Sequence, residues 1–330
     1  MTPRYLELVC PAGTPAALRA AIEAGADTVY CGFADATNAR NYPGLNFDRD
    51  DMKEGIAFAH RHGRHVLVAI NTFPRAGETA IWHRAVDDAA ALGADAVILA
   101  DIGVLDYASR RHPDLRLHLS VQAAASNPIS LAFYRERFGI RRAVLPRVLT
   151  VPEIAHMVAT MGVEAEVFAF GSLGTMTEGR CILSSYMTGR SPSSDGVCAP
   201  AEHVRFDEEG EEMVIRLGGI TMNRFPRNQA AAYPTPCKAR LVTRGVPSYL
   251  FDEPVGLNVI DILPSLKEAG VTALKIEGRQ RSRAYVTQVV RAFRAELDAL
   301  DRGAPSPGID LSGLVEGGKE TFGAYKKGWR

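Results

Sequence analysis

One phrase recurs along this chain and limits what it can fold into. Glu23-Ala-Gly-Ala-Asp-Thr-Val-Tyr is echoed by Ala91-Leu-Gly-Ala-Asp-Ala-Val-Ile and by Glu268-Ala-Gly-Val-Thr-Ala-Leu-Lys. Each copy is an alanine-rich helical stretch closed by glycine and followed at once by a strand-like run. Glycine takes the left-handed conformation just past a helix, and the chain then enters a buried strand. Looser copies stand at Gly63, Gly139 and Gly162, ahead of runs at His65 to Asn71, Arg142 to Arg147 and Glu164 to Phe170. With Leu6 to Cys10 at the start and Leu115 to Gln122 in the middle, eight strand candidates emerge. Strands alternating with helices imply a parallel sheet, and eight of them imply a closed (β/α)8 barrel of the TIM type, in the α/β class. An open doubly wound sheet is the alternative, but no G-x-G-x-x-G follows the first strand.

The rhythm predicts seven βα units in residues 1–170 and a last helix-strand-helix in 255–302, followed by a tail, 303–330, expected to pack loosely. Residues 171–254 break the pattern. Val204 to Leu217 reads as a hairpin around Glu208-Glu-Gly, and Arg240 to Phe251 as another around Arg244-Gly. So long a loop without structure is unusual inside a compact domain, which predicts a small β-containing insertion between strands seven and eight. It leaves the barrel after Phe170, on the face where barrels carry chemistry.

Lys+Arg and Asp+Glu balance at 38 each, so no overall field draws the chain to nucleic acid or an acidic membrane. The longest apolar run, Ala96 to Leu105, is interrupted by Asp101 and is too short to span a bilayer. With no apolar signal core at the N-terminus, the expectation is a cytoplasmic protein without a transmembrane segment, and no DNA partner. Five cysteines at irregular spacing point to reduced thiols or metal ligands rather than a disulfide framework. Cys10 and Cys31 fall in strands and read as core thiols. Cys181, Cys198 and Cys237 lie in turn-rich sequence in the insertion. Their spacing matches no zinc template, and it leaves both unrelated thiols and a metal site open.

Polar residues stand where predicted strands end: Asn71, Asp101, Gln122, Arg147 and Glu277. On a barrel these converge on the mouth as catalytic candidates, or else form a polar layer that bonds loop backbone. Arg147, Arg279 and Arg281 are candidates for gripping an anionic substrate. Arg283 reads as the solvated start of the last helix. Asn38, Arg40 and Asn46 lie in the long loop after strand two, on the same face. His60, His62 and His65 read as surface residues on the opposite face.

The insertion sequence Phe168-Ala-Phe-Gly-Ser-Leu-Gly-Thr-Met-Thr-Glu-Gly-Arg-Cys181, then Leu183-Ser-Ser-Tyr-Met-Thr-Gly-Arg190 and Cys198-Ala-Pro, resembles the cysteine signature of the peptidase-U32-like family. Glu7-Leu-Val-Cys-Pro-Ala-Gly13, Thr37-Asn-Ala-Arg40, Gly44-Leu-Asn-Phe47, Ala69-Ile-Asn-Thr-Phe73, Leu145-Pro-Arg-Val148, Lys275-Ile-Glu-Gly-Arg-Gln-Arg281 and Gly323-Ala-Tyr325 resemble its UbiU-like branch. The resemblance implies a component of oxygen-independent hydroxylation of ubiquinone precursors, working with a UbiV-like homologous subunit. Prephenate, a dicarboxylate, is the implied oxygen donor. It also implies a [4Fe-4S] cluster on four cysteines, and here the chain departs from the family. The first of those positions is Gly174, leaving Cys181, Cys198 and Cys237. Three thiolates can hold a [4Fe-4S] cluster with one open iron or a [3Fe-4S] cluster, and a cluster-free chain is the third outcome. Ser172, Thr175, Glu178 and His203 are nearby candidates for a fourth ligand. The alternatives are a binding-only partner subunit, an RNA-hydroxylating relative and a peptidase. The last lacks any G-x-S-x-G or H-E-x-x-H motif.

Overall fold

The computed structural model describes residues 5–174, 180–229, 233–249, 251 and 253–326. Strands β1 (Glu7–Pro11), β2 (Thr28–Cys31), β3 (His65–Ile70), β4 (Ala96–Leu99), β5 (Leu117–Leu119), β6 (Arg142–Val144) and β7 (Glu164–Ser172) pair in chain order, all parallel. After β7 comes the insertion. Its antiparallel three-stranded sheet consists of β8 (Val204–Glu209), β9 (Glu212–Leu217) and β10 (Ile220–Pro226), and a separate hairpin of β11 (Arg240–Thr243) and β12 (Val246–Tyr249). The short β13 (Gly256–Asn258) runs antiparallel to the end of β7. Strand β14 (Ala273–Ile276) then enters between β7 and β1, parallel to both, and closes an eight-stranded barrel. Both expected hairpins are present; β10 and β13 were not foreseen.

Local chemistry sets these boundaries. Gly25, Gly93 and Gly270, the glycines of the repeated phrase, have φ of +109°, +82° and +85°, the left-handed turn from helix into strand that side chains resist. The helix Val151–Met161 opens with a capping box between Thr150 and Glu153.

Strand alternation divides the interior. One face of each strand packs outward against the helices, and Cys10 and Cys31 belong to this shell. The other face fills the lumen, where Val9, Tyr30, Leu67, Ala69, Ala96, Ile98 and Ala273 form one apolar cluster. From β5 round to β14 the lumen is ionic instead. Arg142 meets Glu166 at 3.3 Å and Glu164 at 2.7 Å and also reaches Glu7, while Lys275 Nζ lies 2.6 Å from Glu166. Arg116 pairs with Glu164 and donates from Nε to His118 Nε2 at 2.9 Å. Burial, helped by Arg142 and Arg116, keeps the His118 imidazole neutral, well below its ordinary pKa. Three cations (Arg116, Arg142, Lys275) thus face three carboxylates (Glu7, Glu164, Glu166), and this layer is electrically balanced.

The loose tail expected after residue 303 is corrected. Strand β15 (Glu320–Thr321) pairs with β13, Leu311 and Tyr325 are buried, and the Tyr325 hydroxyl donates to the Phe168 carbonyl at 2.7 Å. The apolar residues Leu311 and Tyr325 anchor it despite its glycines and prolines. Among the described residues no helix is long and apolar enough to cross a membrane.

Glu166 is shared by two buried cations, so Glu166→Ala is expected to lower the unfolding free energy by about 3–5 kcal/mol. Urea denaturation measures it; a loss under about 1 kcal/mol would contradict a supporting role for this layer.

Candidate functional site

The carboxyl ends of the strands gather a charged cluster around Glu277, which follows β14 directly. Arg147 Nη2 lies 2.8 Å from its Oε2, and Arg40 Nη2 lies 3.3 Å from its Oε1. Burial alone would raise the Glu277 pKa, but the two guanidinium groups overcome it and hold the carboxylate below its ordinary range. Arg147 also stacks on the Phe168 ring, 3.5 Å from its centroid.

Asparagines stitch the loop that carries Arg40. Asn38 is fully buried: its Nδ2 donates to the Phe33 carbonyl, and its Oδ1 accepts from Arg40 N at 3.1 Å and Arg279 Nη1 at 2.6 Å. Asn46 donates to the Arg40 carbonyl at 2.8 Å, and Asn71 Oδ1 accepts from Ala39 N at 3.1 Å. Asn71 therefore positions the loop.

The insertion brings its three thiols to this mouth from separate segments. Cys181 stands at the N-terminus of the helix Ile182–Thr188, its carbonyl accepting from Ser185 N at 3.3 Å. Cys198 is bonded through its carbonyl to the Ser184 hydroxyl, and Cys237 lies in the turn Pro236–Lys238. Burial raises the Cys181 thiol pKa, and Cys237 adds to this. Burial pushes Cys198 up to about 11, Arg40 opposing and the other two thiols reinforcing. The three sulfurs thus sense one another, and a cationic centre among them would relieve their mutual repulsion as thiolates. Among the described residues no three His, Cys, Asp or Glu side chains close on one point as a single metal ion requires. A cluster binds each thiolate to a different iron and needs wider spacing than that. Among the described residues, a Cβ built on Gly174 meets no atom within 4 Å.

Of the other candidates near the thiols, Ser172 is otherwise engaged: its hydroxyl donates to Glu316 at 2.6 Å and accepts from Lys238 at 3.2 Å. His203 makes no hydrogen bond to a thiol; it ends the turn Ala201–His203. Thr175 and Glu178 lie outside the described residues.

Asp101 stands at a strand end, but its carboxylate caps the helix Ile102–Arg111, accepting from Gly103 N at 2.9 Å and Val104 N at 3.0 Å. Gln122 is buried with its side-chain oxygen unpartnered, and its carbonyl accepts from Arg180 at 2.9 Å. Arg281 is exposed over the Tyr285 ring, away from the charged cluster. Arg147, Glu277 and Arg279 come together with Arg40, whereas Asp101 and Arg281 do not join them. Tyr30 and Phe168, which pack against these arginines, were missed because aromatic residues in a strand read simply as core. Ile215, Met222, Phe225, Tyr233 and Tyr249 of the insertion, with Lys238 and Glu316, line a cavity of about 300 Å³.

A family model described as Peptidase family U32 matches residues 13–316. The chain belongs to peptidase family U32. It is 30% identical over 296 residues to tRNA hydroxylation protein P1 of Bacillus subtilis, covering 89% of this chain and 63% of that relative. It is 30% identical over 320 residues to tRNA hydroxylation protein P of Escherichia coli, covering 91% of this chain and 69% of the relative. The 23S rRNA 5-hydroxycytidine C2501 synthase of Escherichia coli is 29% identical over 325 residues, with 96% of this chain and 42% of that protein covered. The chain thus spans less than two thirds of the Bacillus protein's length. The solved structure of the U32 peptidase Mk0906 superposes with a TM-score of 0.51 at 13% identity, covering 86% of this chain and 96% of that one, a likeness of fold.

The Glu277 pairs make an acid-dependent contribution. Because the folded-state pKa is depressed, their stabilisation is present above the unfolded value of about 4.3 and fades as pH falls through the folded one. Glu277→Gln should remove that part of the pH dependence in thermal unfolding; an unchanged acid limb would contradict the pairing. Asp101→Ala should cost about 1 kcal/mol of stability through the lost cap, with ligand binding at the mouth unchanged.

Proposed function

We propose that this chain is a component of an oxygen-independent hydroxylation system, UbiU-like in its substrate, that acts on a ubiquinone precursor beside a UbiV-like partner subunit. The observation that carries this reading is the meeting of three insertion thiols with an arginine-rich barrel mouth on the carboxyl face of the strands. Its relatives' names point the same way, toward hydroxylation. Cys181, Cys198 and Cys237 would hold an iron–sulfur cluster, [4Fe-4S] with its fourth position open or filled by a non-cysteine ligand. When bound, such a cluster supplies an electron route or a Lewis-acidic iron.

The chain's own residues set the surroundings. Arg40 offsets negative charge beside Cys198, and the ionised Glu277 holds Arg40 and Arg147 at the mouth. The cationic mouth suits an anionic donor such as the dicarboxylate prephenate. Peptide hydrolysis finds no support: among the described residues no histidine hydrogen-bonds a serine or cysteine side chain. The second reading is hydroxylation of RNA, favoured by the names of the relatives. The balanced charge of 38 cations and 38 anions argues against it, since RNA recognition draws on a basic surface.

Anaerobic purification, alone and with the partner, followed by iron and sulfide analysis and visible spectroscopy, tests the reading. About four irons per chain are expected, with broad absorption in the visible blue. Cys181→Ala should diminish both. Gly174→Cys should keep the iron and slow its loss in air, because no atom of the described residues crowds a Cβ there. About three irons would indicate [3Fe-4S], with the fourth site absent. A folded chain without iron after anaerobic reconstitution would sink the cluster and leave a binding-only subunit.

A further inference from the structure

We infer that Arg279, flanked by Arg40, is a buried receptor for one carboxylate group of a small anionic ligand at the centre of the barrel mouth. The inference deepens the proposed function, on which the ligand's identity rests, but its argument is one of charge and geometry.

The lumen layer below is balanced, three cations against three carboxylates. The mouth layer differs. Arg40 and Arg147 both pair with Glu277. Arg279 is only 7% exposed, yet among the described residues it has no carboxylate within ion-pair distance. Its hydrogen bond is to the neutral Asn38, made by Nη1 at 2.6 Å. A guanidinium carries five N–H donors, and among the described residues no acceptor meets the edge formed by Nε and Nη2. The Tyr30 ring lies 5.5 Å from the guanidinium and Lys275 lies 3.7 Å from the same ring, but Lys275 is neutralised by Glu166.

A buried cation without a counter-charge is costly. Burial, with Arg40 adding its repulsion, draws the Arg279 pKa down to about 10. An arriving anion would offset that cost. The free Nε–Nη2 edge offers two parallel donors, the geometry that fits a planar carboxylate. Asn38 fixes the opposite edge, so the fork is oriented before the ligand arrives.

The test is thermal unfolding of the full chain with pyruvate, succinate or inorganic phosphate against chloride at matched ionic strength, with affinities from calorimetry. The carboxylates should raise Tm with rising concentration, as selective binding to the folded state requires, and phosphate should do so less. Arg279→Gln should weaken carboxylate binding at least tenfold while leaving the ligand-free Tm unchanged or higher, because it removes an unpaired charge. Arg279→Lys keeps the charge, loses the fork and should also bind more weakly; Arg281→Gln should bind normally. No effect of carboxylate on the wild-type chain, or equal binding by the Arg279 variants, would overturn the inference. So would a lower ligand-free Tm in Arg279→Gln with binding retained, which marks a structural arginine. Carboxylate binding is read by calorimetry, whereas the cluster reading is tested by iron and sulfide content. Failure of the cluster reading and failure of this one are therefore separable.

Discussion

The eighth barrel strand carries both the closure of the fold and the chemistry of its mouth. β14 pairs with β7 and β1 at once, so without it the sheet has two open edges and no lumen. Every second residue along its line matters. Lys275 joins the lumen ion layer through Glu166, Glu277 gathers Arg40 and Arg147, and Arg279 stands buried beyond them on Asn38. Lys275 lies on the strand itself, whereas Glu277 follows its end and Arg279 stands in the turn beyond. A slip of one residue would turn Lys275 away from the lumen. The paired charges of the floor hold the strand that presents the less compensated charges above.

The insertion depends on the barrel and on the tail together. Lys238, next to Cys237, is buried and donates to the Val255 carbonyl at 3.2 Å, to Ser172 and to Glu316 of the C-terminal segment. Tyr325 and β15 fasten that same segment to β7 and β13. The position of Cys237 is thus set by contacts from three distant parts of the chain. Cys198 is tied more locally, its carbonyl accepting from Ser184 of the helix that follows Cys181.

The barrel was legible because its signal is local and repeated: a glycine forced to positive φ, then a run too apolar to face water. The hairpins at 204–217 and 240–249 announced themselves by turn residues. β13 and β15 did not, since three- and two-residue strands have no periodicity to read. At the mouth, strand-end position identified Glu277 and Arg147, but position cannot say where a side chain points. Asp101 and Glu277 occupy equivalent places, and one caps a helix while the other gathers arginines. Arg279 and Arg281 differ by two residues, and only contact with Asn38 across the barrel separates the buried cation from the exposed one. The cysteine spacing was silent because loops 17 and 39 residues apart meet only through the folded insertion.

The most direct measurement of the central claim is made in cells grown without oxygen and depleted of this chain, by mass spectrometry of isoprenoid quinone precursors and of RNA nucleosides. The account predicts an accumulating precursor one hydroxyl short, restored by the wild-type chain and not by Cys198→Ala, with hydroxylated nucleosides unchanged. A normal quinone profile with loss of a hydroxylated nucleoside would contradict it, and would place this chain functionally with the RNA-hydroxylating relatives it resembles in sequence.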